Sequence, residues 1–100
     1  APVSVDETLS DLLSEFSLAQ NYPNPFNPST TIQFGLPKSM YVKGVIYDII
    51  GREIETIMDG EMTAGDHSVV WDATDVLSGI YFFRIQAGDH TSVIKMVLLK

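Results

Sequence analysis

At 100 residues the chain makes one small domain, and its 45% hydrophobic content suits a globular protein rather than a disordered one. The net charge is −7 and the six basic residues are scattered (Lys38, Lys43, Arg52, Arg84, Lys95, Lys100), which argues against nucleic acid and against an anionic membrane surface as partners. Without cysteine there is no disulfide, thiol nucleophile or thiolate metal site, and no apolar run approaches the ~18 residues that cross a bilayer.

Residues 1–15 read as a linker from an upstream domain, carrying Asp6, Glu7, Asp11 and Glu15 and no basic residue. Leu9, Leu12, Leu13 and Phe16 fall at i, i+3, i+4 and i+7 with Asp6 as a cap, the pattern of a short helix that is ordered only if its leucine face docks. The first residues are acidic and polar rather than basic and then apolar, so we expect any export signal upstream in a longer precursor.

Asn21-Tyr22-Pro23-Asn24-Pro25-Phe26-Asn27-Pro28-Ser29-Thr30 follows. Three prolines in six residues exclude a helix or central strand, since each lacks an N–H and fixes φ. The run predicts a stiff lead-in pinned by two aromatic anchors, Tyr22 and Phe26. Asn24 and Asn27 are expected to bond the local backbone and stabilise turns.

Beyond Thr30 the chain reads as short strands between turn signals. Ile32, Phe34 and Leu36 alternate with Thr31, Gln33 and Gly35 until Pro37. Tyr41 to Ile49 is next, with Val42, Gly44 and Ile46 on one face. Asp48-Ile49-Ile50-Gly51 turns the chain, Gly51 taking a positive φ. Arg52 to Met58 returns as the hairpin partner. Asp59-Gly60 and Ala64-Gly65-Asp66 bracket a loop, and His67, Val69 and Trp71 share a face after it, with Trp71 at the core centre. Ser78-Gly79 starts a strand whose Tyr81, Phe83 and Ile85 oppose Phe82, Arg84 and Gln86. Ala87 to His90 makes the last turn, and Thr91 to Leu99 the last strand, with Ile94, Met96 and Leu98 inward. With a short strand near Phe16 to Gln20, this predicts an all-β antiparallel sandwich of about seven strands.

The candidate chemistry is sparse. His67 and His90 each neighbour an aspartate, Asp66 and Asp89, but in predicted turns and with no nucleophile elbow. Zinc on these histidines lacks further ligands at suitable spacing. Asp59, Glu61, Asp66, Asp72, Asp75 and Asp89 offer oxygen ligands for calcium, yet no EF-hand or nonapeptide repeat organises them, so we read a solvated acidic surface and expect no cofactor. Tyr81, Phe82 and Phe83 offer a sugar-stacking platform, against which stands ordinary packing. Val97 and Leu99, facing out beside Lys95 on a terminal strand, need a cover.

Taken together, Phe16 to Ile32, Val45 to Ile54, Ala64 to His67, Val70 to Asp72, Ser78 to Ile85 and Lys95 to Lys100 form a pattern. Its signature positions are Tyr22, Pro23, Asn24, Pro25, Phe26, Asn27, Pro28, Tyr47, Asp48, Gly51, Arg52, Gly65, His67, Trp71, Asp72, Ser78, Gly79 and Tyr81. In order and spacing it resembles the C-terminal sorting domain of proteins exported by the type IX (Por) secretion system, over roughly residues 16–100. The resemblance implies an immunoglobulin-like sandwich without enzymatic activity. It implies an N-terminal cargo, passage through the periplasm of a Gram-negative bacterium to the surface or medium, and removal by a sortase-like peptidase. To Lys95, Met96, Val97, Leu98, Leu99 and Lys100 it assigns recognition by the translocon, with no insertion into the membrane. A sorting signal is expected to end the chain, as at Lys100. The alternative is an immunoglobulin-like carbohydrate-binding or adhesive module on a secreted enzyme, which has no such need. Two positions depart from the family pattern. Gly44 replaces a large apolar residue, which is expected to weaken packing, and Ala73 follows Asp72 in place of glycine.

Overall fold

The computed structural model describes residues 15–100. The helix expected from Asp6, Leu9, Leu12 and Leu13 lies outside the described residues. Phe16, the last residue of that pattern, is not helical and leads directly into the first strand.

Alternating apolar residues and turn chemistry give seven strands: β1 (Ser17–Leu18), β2 (Ser29–Leu36), β3 (Met40–Asp48), β4 (Glu53–Met62), β5 (Gly65–Asp72), β6 (Gly79–Ala87) and β7 (His90–Leu98). They form two antiparallel sheets, ordered β1-β2-β5 and β4-β3-β6-β7. The fold is therefore an immunoglobulin-like β-sandwich, as the strand spacing predicted. Ile32, Phe34 and Leu36 from one sheet meet Val42, Ile46, Phe83, Ile85, Met96 and Leu98 from the other, all buried. Each such side chain contributes about 1.5–3 kcal/mol by leaving water.

The two hairpins are set by glycine. Gly51 closes β3–β4 with φ 88° and Gly88 closes β6–β7 with φ 57°, values that side chains with a Cβ rarely tolerate. The antiparallel order gives the sandwich two poles. At one, which we call proximal, Phe16 enters beside His90, their rings stacked 5.1 Å apart. At the other, the distal pole, lie the Asp48–Arg52 turn, the 73–78 connection and the C-terminus.

Several expectations change. Strand β4 does not stop at Met58 but runs on to Met62, so Asp59-Gly60 is strand and only Thr63 and Ala64 remain between β4 and β5. Pairing along the whole of β3, with Val42 opposite Gly60 and Met40 opposite Met62, overrides the poor strand propensity of Asp and Gly. Register shifts in this pairing break the alternation of β4. His67 and His90 stand on strands, not in turns. Gly44 is no packing defect: a Cβ there would meet Met58 Sδ at 2.1 Å and the Phe83 ring at 2.8 Å, so those side chains already fill the space. Ala73 buries its methyl in the core while its N–H donates to the Pro28 carbonyl at 2.9 Å.

Candidate functional site

The proline run does not behave as a linker. It crosses the side of the sandwich and lies along the outer edge of β7. Leu98 and Phe26 form a parallel bridge, in which Phe26 N–H donates to the Val97 carbonyl (2.9 Å) and Leu99 N–H to the Phe26 carbonyl (3.0 Å). Asn24 Oδ1 accepts from Val97 N–H at 2.9 Å, and Gln20 Nε2 donates to the Lys95 carbonyl at 2.8 Å. An edge strand exposes backbone groups that invite foreign pairing. Here the segment from Gln20 to Phe26 supplies partners for the N–H groups of Val97 and Leu99 and for the carbonyls of Lys95 and Val97 on that edge. The X–Pro bonds at Pro23, Pro25 and Pro28 are cis.

Of the two expected anchors only Phe26 is buried, 5.7 Å from Trp71. Tyr22 is 80% exposed, and the second anchor is its neighbour Asn21. Asn21 Nδ2 donates to Thr30 Oγ1 (2.9 Å) and Thr30 Oγ1 donates to the Pro23 carbonyl (2.8 Å), so a buried polar pair replaces the predicted aromatic. Asn24 likewise acts across the molecule rather than on the local backbone. Its place before a proline marked Asn24 as a turn former; only the path of β7 reveals its long-range partner.

Most of the remaining signature residues gather at the distal pole. Asp48 organises its turn: Oδ1 accepts from Ile50 N–H (3.1 Å) and Arg52 N–H (2.9 Å), and Oδ2 from Arg52 Nε (2.8 Å). Partial burial opposes its ionisation, but these bonds and the guanidinium charge prevail and hold its pKa below the ordinary 3.8. Asp72 is also lowered, by the Thr74 hydroxyl and N–H, with a smaller pull from Lys100. Trp71 is buried as expected but sits toward this pole, edge-on to Tyr81 at 5.5 Å. Tyr81 Oη donates to the Leu77 carbonyl (2.6 Å). The chain end is tied in by Lys100 N–H to Ser78 Oγ (2.9 Å) and Lys100 Nζ to the Thr74 carbonyl (2.5 Å). Ser78, Thr74 and Gln20 carry no sequence signal for these roles, which depend on groups twenty or more residues away.

Within the terminal motif, Met96 and Leu98 are fully buried, Val97 is half-buried and Lys95, Leu99 and Lys100 are exposed. Gly65 and His67 lie instead at the proximal end of β5, where His67 stacks on Phe34 and its Nε2 is 2.7 Å from the Thr63 carbonyl. Tyr47 lies on the outer face of the large sheet, opposite Phe82. The three aromatics of β6 make no platform: Tyr81 and Phe83 point into the core and only Phe82 faces outward. The acidic residues weighed for calcium are dispersed over β4, β5, the 73–78 connection and the β6–β7 turn. Among the described residues no three His, Asp or Glu side chains come together as a metal would require. Two open grooves of about 350 Å³ lie on the small sheet, lined by polar groups such as Ser17, Gln33 and Asp66, away from the distal pole.

A clasped terminal strand and a pole built from dispersed motifs define an immunoglobulin-like module. Residues 20–99 match the family model of the secretion system C-terminal sorting domain, and the chain belongs to that family, the sorting domains of the type IX system. Its members are sorting rather than catalytic domains, and type IX substrates are exported to the cell surface or secreted. No curated protein matches the sequence. Among solved structures the chain resembles PorZ of Porphyromonas gingivalis, an essential bacterial surface component of the type IX secretion system. The identity is 21% and the TM-score 0.55, over 100% of this chain and 13% of that one. At that identity the likeness speaks for the fold.

Proposed function

We propose that residues 16–100 are the sorting domain of a longer exported protein, with 1–15 as the linker to its cargo. The cargo reaches the periplasm by a general export signal, and the type IX translocon then reads the segment Lys95 to Lys100. A sortase-like peptidase cuts in the linker. The supporting observation is how β7 is held. Met96 and Leu98 are in the core, Gln20, Asn24 and Phe26 cover the outer edge, and Leu99 and Lys100 are left presented.

A reporter with a general export signal, fused ahead of residues 1–100, is expected in the medium or on the surface of a host with type IX machinery. Deleting Lys95 to Lys100 is a poor test, because it also removes core side chains. Val97→Ser, Leu99→Ser or loss of Lys100 alone keeps the core. These variants are expected to stay folded and to leave the reporter in the periplasm. Export equal to the parent would remove recognition from this strand. The amino-terminal sequence of any retained surface fragment locates the cut.

A further inference from the structure

The large sheet carries a second apolar layer that the sandwich does not use. Alternate residues of β3, β6 and β7 fill the core, so the residues between them face out. There the register sets Tyr47 beside Phe82 beside Lys95, Val45 beside Arg84 beside Val93, and Ile80 beside Val97. All but Lys95 and Arg84 are apolar or aromatic, and none belongs to the core cluster. Val45 is only 3% exposed, in a hollow lined by Lys43, Tyr47 and Arg84, while Val93 is 53% exposed. The outer face of the small sheet differs, with Thr31, Gln33, Asp66 and Ser68 beside the exposed Val70. A contiguous apolar patch of the first kind marks a surface that something covers.

Charge divides the same face. Arg84 and Lys95 stand on β6 and β7 among apolar neighbours, and among the described residues neither pairs with a carboxylate. The carboxylates of that face, Glu53, Asp59 and Glu61, are on β4, beyond β3, where Lys43 stands opposite Asp59. The β6–β7 half is thus apolar and basic in a chain of net charge −7.

We propose that residues 6–13 dock on this half as a short amphipathic helix, with Leu9, Leu12 and Leu13 against Phe82, Val93 and Val97 and the carboxylates toward Arg84 and Lys95. A helix this short is marginal in water and needs such a surface. Three observations select this segment. Residues 1–15 carry Asp6, Glu7, Asp11 and Glu15 and no base, opposite in sign to the cations of the face. The described chain starts at Glu15, and the Phe16 ring stacks on His90, the first residue of β7. The lengths also agree. Lys95 lies about 17 Å along β7 from His90, and a helix over 6–13 spans about 12 Å, with about 7 Å more from Ser14 and Glu15. The covalent tether supplies an effective concentration on the order of millimolar, which favours this segment over a free partner. The contact does not depend on the sorting reading.

The test places one nitroxide on the full chain. The protein has no cysteine, so Ser10→Cys carries the label alone. Paramagnetic broadening is expected to erase the methyl signals of Val45, Val93 and Val97 and to spare Val70 on the small sheet. It is expected to be lost in Leu9→Ser/Leu12→Ser/Leu13→Ser. It should fall further in Arg84→Glu/Lys95→Glu than in Arg84→Gln/Lys95→Gln. Unshifted methyl signals of the buried Ile32 and Ile85 verify that each variant keeps its core. No broadening, or equal broadening of Val70, overturns the dock. Broadening that survives the leucine variant overturns the apolar contact, and equal effects of the Glu and Gln variants overturn the charge pairing. Broadening passed to an isotope-labelled parent mixed with the nitroxide-bearing protein would assign the face to a second copy and overturn an intramolecular dock.

Discussion

Gly44, Asn21 and Asp48 each do work that their residue type conceals. Gly44 leaves no room for a methyl between Met58 and the buried Phe83, so Gly44→Ala should cost about 1–3 kcal/mol by overpacking, read as a lower urea midpoint at unchanged slope. Asn21→Ala leaves Thr30 Oγ1 buried without its donor and should cost about 1–3 kcal/mol. Trp71→Ala should cost about 3–5 kcal/mol, and native emission should be blue-shifted from that of free tryptophan, as befits a ring packed between Phe26 and Tyr81. Asp48 and Asp72 have folded pKa values below the ordinary 3.8, so at low pH the unfolded chain binds more protons at these positions. Their contribution is present above about pH 4 and lost as pH falls through the folded values. Acid titration of the melting temperature should therefore be flatter in Asp48→Asn/Asp72→Asn.

At the scale of elements, β7 is an edge strand with two halves. Val97 and Leu99 N–H groups point away from β6 to Asn24 and Phe26. By alternation the N–H groups of Thr91 and Val93 point the same way, and among the described residues they have no partner. Hydrogen exchange should therefore be slow at Val97 and Leu99 and fast at Thr91 and Val93. Asn24→Ala should accelerate Val97 while Leu99 stays protected; simultaneous loss of both would mean that the asparagine holds the whole clasp in place. β4, the opposite edge of that sheet, is managed differently, with Glu53, Glu55, Asp59 and Glu61 exposed along it and irregular pairing to β3.

As a whole molecule the sandwich is directional. The described chain enters at one pole and its signature turns, the clasp and the C-terminus meet at the other. Among the described residues no three His, Asp or Glu side chains gather as a metal site requires. Calcium, zinc and soluble polysaccharide should accordingly leave the melting temperature unchanged, whereas any ligand of the native state alone would raise it by mass action. A saturable rise with one of them would favour a binding module instead.

The alternation of Ile32, Phe34 and Leu36 and of Tyr81, Phe83 and Ile85, with glycine at the turns, was enough to read the sandwich and its inward faces, because side-chain direction in a strand follows a period of two. The spaced motifs were enough for the family. Sequence could not reveal that Asp59 and Gly60 extend β4, since pairing with β3 overrides their local preference. Nor could it show that Asn21 rather than Tyr22 is the buried anchor, or that Gln20 and Asn24 reach β7. Local propensity records what a residue prefers beside its chain neighbours, whereas these bonds join groups more than seventy residues apart in the case of β7. Only the closed sandwich, by laying the proline run against the last strand, decided which amide met which carbonyl and which aliphatic side chains stayed in water.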